Sequence, residues 1–330
     1  MSAPTIYDIA ARAGVGIATV SRVINGSQRV SEKTRQAVQR AMEEAGFRPN
    51  NAARRLAAGA PNRHRVAALM PLATTPFYFS VCKSLSLVLA GGNTDLMLVD
   101  VSSDSEAREH LERLLRERSC EGVILCSMDL PDELQEQFKT FNIPLVALDC
   151  ETKTIPHIRI DNVEGGRLLS ETLSQCGAKQ QALVIGKRSG KAFLEREKGF
   201  MERCPPGSPV FELPLMDVEG GRTIARTILK NYPHIDAIAC AGDLAAIGIV
   251  DELRLAGKNV PEDIQVIGFD DQPLVDVMGL STIRQPMERF GQWAGSAILQ
   301  LISPQPDISA PEPHVLPLEV IRRSTTQTGP

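Results

Sequence analysis

Residues 5–25 read Thr-Ile-Tyr-Asp-Ile-Ala-Ala-Arg-Ala-Gly-Val-Gly-Ile-Ala-Thr-Val-Ser-Arg-Val-Ile-Asn, and such a segment can fold in few ways. Ile6, Ile9, Ala10 and Ala13 recur at helical spacing and form one buried stripe. Thr5 precedes them, with a hydroxyl placed to accept an orphan N–H of the first turn. Gly14-Val15-Gly16 supplies a tight turn, where glycine reaches backbone angles closed to other residues, and Val15 plugs the joint. A second helix buries Val20, Val23 and Ile24 and leaves Ile17, Ala18, Ser21 and Arg22 on its opposite face. Two short helices joined this way make a helix-turn-helix, whose second helix enters the major groove of DNA. Arg22 suits guanine, because its fork donates to O6 and N7 together; Ile17 and Ala18 lack polar side-chain atoms and suit thymine methyls. An ordinary helical hairpin has the same periodicity, so the flanking sequence must separate the two.

Residues 1–60 hold Lys33 and eight arginines against four acidic residues, a net of +5. The 330-residue chain totals −4, which leaves −9 for the remainder. A basic head on an acidic body fits a nucleic-acid module joined to a larger partner domain. A third helix is expected from Glu32 to Ala45, with Ala37, Val38, Ala41 and Met42 closing a small core and Phe47 beneath it. Pro49 breaks the chain, and Asn50 can cap a short helix over 51–58 that is too short to be stable alone. Its Arg54 and Arg55 suit phosphates, while Leu56 has no local core to join. The segment is either a linker with incidental helix propensity or a hinge that orders on DNA and wedges Leu56 into the minor groove.

Beyond this head, apolar runs alternate with helical patterns. Strands are expected at 66–71, 95–101, 122–127, 145–149, 158–161, 182–186, 237–241, 264–269 and 315–321. Helices are expected at 75–90, 105–118, 163–176, 220–231, 244–256 and 287–302. This order predicts parallel sheets with helices on both faces, binding ligands at the carboxyl ends of their strands. About 270 residues are too many for one small core and suit two lobes.

No apolar run approaches the about 18 residues of a membrane span. The N-terminus lacks a basic-then-apolar signal, so a cytoplasmic location is expected. Seven cysteines lie scattered without metal spacing; Cys82, Cys126, Cys150 and Cys240 read as buried reduced thiols. His110, His157, His234 and His314 stand isolated and read as surface or helix-cap residues. Residues 14–19 approach a dinucleotide fingerprint but follow a helix and lack its last glycine. Residues 186–192 follow a strand, yet three residues separate their glycines where a phosphate loop has four, and Ala192 lacks the magnesium-binding hydroxyl. No catalytic set, cofactor or metal site is read, and no enzyme is expected.

Tyr7-Asp8-Ile9-Ala10, Ala13-Gly14-Val15, the run from Thr19 to Asn25, Val30-Ser31, Thr34-Arg35 and Phe47-Arg48-Pro49-Asn50, with Ala53 and Leu56-Ala57, strongly resemble the LacI/GalR family of bacterial repressors. The resemblance implies an α/β protein. A three-helix helix-turn-helix head would span 1–49 and a hinge helix with linker 50–62. An effector-binding and dimerisation domain, 63–330, would form two lobes of doubly wound parallel sheet, like a periplasmic sugar-binding protein. One lobe would take 63–160 with 287–316 and the other 161–286 with 317–326, crossing near Asp161, Gln285 and Pro317. DNA contacts are implied at Thr5, Tyr7, Ile17, Ala18, Thr19, Ser21, Arg22, Asn25, Ser31 and Thr34, and in the hinge at Asn50, Ala53, Arg54 and Leu56. Gly16 departs from the family, which has a serine there that starts the recognition helix and touches phosphate. One cap and one backbone contact are thereby weakened, while base readout stays.

For the lobes the resemblance implies an effector cleft. Asp149 stands at a polar effector contact, Arg196 looks like the effector-binding arginine, Asp270 like the hydroxyl-binding aspartate, and Gln285 lies at a lobe crossover. Strand-end caps or lobe ion pairs are the alternative for the two aspartates. Phe77, Tyr78 and Phe79 open the helix after the first strand and suit stacking on a ligand ring, with core packing the alternative for Phe77 and Phe79. Gly242 replaces an asparagine of the family, removing one side-chain contact. Lys187, Arg188 and Lys191 follow a strand, with Arg196 a turn later. These cations fit an anionic effector, a sugar phosphate or sugar acid anchored by Arg196, or else point into water beside a neutral sugar. The implied protein is a homodimeric, ligand-controlled repressor of a near-palindromic double-stranded operator, with no cofactor. A cytoplasmic sugar sensor without operator binding and a nucleotide-dependent enzyme are the alternatives. Retention of Arg22 and Leu56 speaks against the first, and the failed phosphate motifs against the second. The helix 75–90, through Val81, Leu85 and Leu89, is expected to pair the subunits. No leucine heptad follows Arg323, so a dimer rather than a coiled-coil tetramer is expected.

Overall fold

The computed structural model describes residues 5–24, 29–45, 47, 63–72, 77–128, 130–150, 152–304 and 312–327. The expectations for Asn25, Asn50, Ala53, Arg54, Leu56 and a helix over 51–58 lie outside these residues.

Helix α1 (Ile6–Ala13) opens on a capping box. The Asp8 N–H donates to the Thr5 hydroxyl at 3.4 Å, and the Thr5 N–H donates to the Asp8 carboxylate at 2.8 Å. Gly14 closes the helix at φ +64°, in the left-handed region that glycine enters freely. Helices α2 (Ile17–Ile24) and α3 (Glu32–Ala45) complete a core of Ile9, Ala10, Val20, Val23, Val38 and Ala41. Ala37 is exposed and not part of it, since Val38 and Ala41 set the buried face of α3 and Ala37 lies about 100° round the helix from Val38.

The rest of the described chain runs β1 (His64–Met70), α4 (Phe77–Gly91), β2 (Thr94–Asp100), α5 (Asp104–Glu117), β3 (Gly122–Cys126), α6 (Asp132–Thr140), β4 (Leu145–Leu148) and β5 (His157–Ile160). Then come α7 (Asn162–Gln175), β6 (Gln181–Ile185), α8 (Lys191–Met201), β7 (Val210–Glu212), α9 (Val218–Asn231), β8 (Ala237–Cys240), α10 (Asp243–Leu255), β9 (Gln265–Asp270) and β10 (Ser281–Arg284). Helix α11 (Met287–Ile302), β11 (His314–Leu316) and β12 (Glu319–Ile321) follow.

These strands form two six-stranded sheets, ordered β11-β5-β4-β3-β1-β2 and β12-β10-β9-β8-β6-β7. Neighbours are parallel except β10 and β12. Helices cover both faces, so central strands are continuous apolar runs; Val66 to Met70 are all buried. The chain passes between sheets at Asp161, at Gln285-Pro286 and at Pro317-Leu318.

Several expectations need correction. Residues 315–321 form two strands in different sheets, because Pro317 has no N–H to continue a ladder. Strands β7 and β10 are too short to show a period in sequence. His157 is buried, since β5 lies inside its sheet between β4 and β11, and Cys150 is half-buried. Val81, Leu85 and Leu89 are wholly buried in the first lobe and cannot face a second subunit. The outward side of α4 carries Phe79, Lys83 and Leu87.

Candidate functional site

Strand ends and helix starts from both sheets converge on one group of polar side chains. Arg196, 5% exposed, is its centre. Its Nε donates to Asn162 Oδ1 at 2.9 Å and its Nη1 to the Ala241 carbonyl at 2.8 Å. Its guanidinium carbon lies 3.7 Å from the Phe269 ring centroid, a cation–π contact. Two glycines allow this reach. A Cβ on Gly199 would overlap the Val163 carbonyl, and one on Gly166 the Arg196 carbonyl, so α7 and α8 touch backbone to backbone. Burial lowers the Arg196 pKa, opposed by the charges of Asp270 and Asp149.

Asp270 Oδ1 accepts from Gln285 Nε2 at 2.6 Å, and Oδ2 from Gln272 Nε2 at 3.0 Å. Asp149 Oδ2 accepts from the Ser127 hydroxyl at 2.7 Å, and Ser127 is hydrogen-bonded in turn to Tyr78. Two acceptors are left over: among the described residues, the buried Asp149 Oδ1 and Gln285 Oε1 have no hydrogen-bond partner. Among the described residues, Arg196 Nη2 makes no hydrogen bond either. An orphaned buried acceptor costs about 1–3 kcal/mol, a deficit that a bound hydroxyl removes. The backbone is strained here as well: Ser127, Asp149, Asp270 and Asp271 have φ of +52°, +54°, +111° and +56°. Strain of this kind gathers at ligand sites, where surrounding structure holds it.

Burial pushes the Asp149 carboxyl up from its ordinary range, against the pull of the Ser127 hydrogen bond and the Arg196 charge. Burial also raises Asp270, opposed chiefly by Arg196. Beneath them Asp243 accepts from the Gln272 N–H at 2.8 Å and the Thr282 hydroxyl at 2.7 Å. Burial, then the charge of Asp270, drives its pKa well up.

The structure thus brings Asp149, Arg196, Asp270 and Gln285 together. It does not bring Phe77 or Phe79 to them. Phe77 is core, edge-on to Tyr78 and Phe290 at centroid distances of 5.0 and 5.8 Å. Phe79 is 60% exposed on the outward side of α4. Of the three aromatic residues that open α4, Tyr78 is the one that reaches the cleft, through Ser127. Nor do four cations gather as expected. Arg188 is paired with Glu197 at 2.7 Å and lies 3.6 Å from Glu212, while Lys187 is exposed. Lys191 borders a small recess with Asp149 and Asn162, but lies 4.0 Å from Glu195 and is largely in solvent. Ser127, Asn162, Asp243 and Gln272 escape the sequence reading, although Ser127 and Asn162 adjoin strand ends that it located, while Tyr78 is named there only as a stacking candidate beside Phe77 and Phe79.

In the head, Tyr7, Ile17, Ala18 and Arg22 are exposed, and Thr19 and Ser21 half-buried. Thr5 and Ser31 act as caps, Ser31 Oγ accepting the Thr34 N–H at 3.2 Å and bonding the Thr34 hydroxyl at 2.8 Å.

Residues 63–316 match the model of periplasmic binding proteins and the sugar-binding domain of the LacI family, and residues 5–50 that of bacterial regulatory proteins of the lacI family. The ribose operon repressor of Bacillus subtilis (strain 168) is 30% identical over 330 residues, 98% of each chain. The CelR–cellobiose complex covers 98% of this chain and 99% of its own, at TM-score 0.68 and 28% identity. The lac repressor dimer bound to operator and the anti-inducer ONPF covers 99% and 100%, at 0.68 and 26%. The chain belongs to the LacI family. It is therefore a DNA-binding transcriptional regulator with that family's helix-turn-helix head and two-lobed, periplasmic-binding-protein-like sugar-binding domain. Two departures from the LacI-family pattern now have a place. Gly16 offers α2 only its carbonyl, which accepts the Thr19 and Val20 N–H groups. Gly242 precedes α10 beside the carbonyl that holds Arg196, and a Cβ there would meet only Met216, at 3.5 Å. Among the described residues no helix is long and apolar enough to cross a membrane, and no group of three or more His, Cys, Asp or Glu is placed to hold a metal.

Proposed function

We propose that this LacI-family regulator is a cytoplasmic, non-enzymatic homodimeric repressor whose operator affinity is set by a neutral, hydroxyl-rich effector bound at Arg196. The observation that carries this reading is the pair of orphaned acceptors, Asp149 Oδ1 and Gln285 Oε1, beside Arg196. Acceptors need donors, and sugar hydroxyls supply them. Arg196 would direct Nη2 to a ligand oxygen, with Asp149 and Asp270 taking hydroxyls. Asp149 and Asp270 outweigh the one buried guanidinium, Arg188 and Lys191 lie against carboxylates of their own and Lys187 is exposed, so the charge disfavours a sugar phosphate or sugar acid. The cellobiose of the CelR complex and the ribose of the operon repressor's name are both neutral sugars. Calorimetry with cellobiose, D-ribose and ribose 5-phosphate tests this; a phosphate bound as tightly as the neutral sugar overturns it.

The proposed division is a head at 1–49, a hinge at 50–62, and lobes of 63–160 with 287–316 and 161–286 with 317–326; the three sheet crossings support it. A second copy would cover Phe79 and Leu87 of α4, Leu98 of β2, and Leu274, Val277 and Met278 of the turn after β9, all exposed. The lac repressor structure is likewise a dimer. Sequence is read by α2. Arg22→Ala is expected to cost about 1–3 kcal/mol at one guanine per half-site and to relax preference there. Site selection on random DNA measures it; an equal loss on all sequences would make Arg22 a phosphate contact.

Effector binding is expected to tighten as pH rises. Burial raises the free-state pKa of Asp149 and Asp270. Ligand hydroxyls stabilise the ionised carboxylate, so each pKa falls in the complex and binding releases protons. Affinity then climbs by up to about tenfold per pH unit for each coupled carboxylate, from the ordinary carboxylate range to the raised value, and levels above it. Titrations in buffers of different ionisation enthalpy should show proton release; binding without it would exclude contact with either carboxylate.

A further inference from the structure

Asp270 opens a turn that ends at Leu280, and the backbone of this turn is strained. Asp270, Asp271 and Leu274 take φ of +111°, +56° and +79°, three left-handed non-glycine residues within five positions. Such residues persist only where their surroundings hold them. Within one subunit Leu274 receives no such help from burial, being 74% exposed, as Val277 is at 79%. The holding group comes from the segment after β12. Arg323 spans the base of the turn: Nη2 donates to Asp271 Oδ1 at 2.8 Å and Nη1 to the Leu280 carbonyl at 2.7 Å. Arg323 is itself fixed. Its N–H donates to Ser281 Oγ at 2.8 Å, the Ser281 N–H donates to Thr325 Oγ1 at 2.8 Å, and the Val266 N–H of β9 donates to the Thr325 carbonyl at 2.8 Å. Asp271 Oδ2 accepts from Arg284 at 2.7 Å, so the same carboxylate is gripped from both sides.

We propose that Arg323 is a positioning residue that staples the two ends of the 271–280 turn, holding Asp270 toward the cleft while presenting Leu274, Val277 and Met278 outward. A fork reaches two acceptors at once, which a lysine ammonium does with less directional hold. The turn thereby acts as one piece, with the effector carboxylate at one end and an apolar surface at the other. A displacement of Asp270 by ligand is carried to the outward residues through it. The inference rests on the proposed effector role of Asp270, and its first test needs no ligand.

Hydrogen exchange on the full-length protein compares wild type with Arg323→Ala and Arg323→Lys. Exchange across 271–280 is expected to rise about tenfold or more in Arg323→Ala, with β6 and β8 unchanged and partial recovery in Arg323→Lys. No rise in the turn, or a rise spread through the whole lobe, overturns the proposal. If Arg323→Ala does not fold, Arg323→Gln is read by the same maps. Calorimetry with cellobiose and D-ribose follows. The variant that loosens the turn is expected to lose about tenfold in affinity for the sugar that wild type binds, and an unchanged affinity overturns the positioning of Asp270. A wild type that binds neither sugar removes the neutral-sugar reading, while the exchange maps still decide the staple.

Discussion

Arg196→Ala is expected to abolish effector binding and to cost about 3–5 kcal/mol of stability near neutral pH. The guanidinium is almost wholly buried, and Asp149 and Asp270 are the charges that face it. Removing it leaves two buried carboxylates without their counter-charge, the Ala241 carbonyl without its donor, and Phe269 facing a void. The pH dependence has a definite sign. Losing the cation raises both carboxyl pKa values further. A carboxyl raised in the folded state favours folding where it is protonated, and that advantage is lost as pH rises through the folded value. The stability deficit of Arg196→Ala should therefore be smallest near the ordinary carboxylate range, where only the lost Asn162, Ala241 and Phe269 contacts count, and reach its full size toward neutrality. Arg196→Lys keeps the charge but not the geometry that serves Asn162 and Ala241 together, so it should recover stability more than binding. Denaturant melts across pH, with calorimetry on the same variants, test both parts; a deficit that does not change with pH would mean that the carboxylates are not coupled to Arg196.

Gly199→Ala is expected to cost about 2–4 kcal/mol and to lower the melting temperature by about 5–15 °C. Its Cβ would fall inside the Val163 carbonyl, a backbone atom of α7 that no rotamer change can move. Helix α8 would have to separate from α7, taking Arg196 away from Asn162, so effector affinity should fall with stability. Gly242→Ala is the matched control for stability, because its Cβ would meet only Met216 at van der Waals distance. Thermal unfolding of the two variants decides it; equal, small effects would show that α7 and α8 have room to spare.

How far the site was legible in sequence follows from the range of the forces involved. Phe77, Tyr78 and Phe79 are successive residues about 100° apart around a helix. Which of them faces the cleft depends on the rotation of α4, and that is set by docking against α11, where Gly291 lies directly on Val81 and Ser84. Nothing local encodes that rotation, so the sequence offers all three as stacking candidates and cannot choose Tyr78 from among them. The loop cations failed for a related reason. Glu197 and Glu212, which take up Arg188, come from α8 and β7, and β7 was too short to be found. Arg196, Asp149, Asp270 and Gln285 were named through the family resemblance, not through any pattern of spacing.

By itself the sequence determined the head and the layered character of the lobes. A capping threonine, a left-handed glycine and apolar residues three and four apart act within one or two helical turns, so the three helices and their outward residues are written locally. Apolar strands alternating with amphipathic helices require parallel sheets covered on both faces, whatever their strand order. Only the tertiary structure decided which strand ends meet. Parallel strands pair across long crossovers, so the neighbours of Asp149 or Asp270 are distant in the chain. The contacts that fix them, Arg196 on Asn162, Gln285 on Asp270 and Arg323 on Asp271, exist only once both sheets and the backbone-to-backbone helix pair have formed.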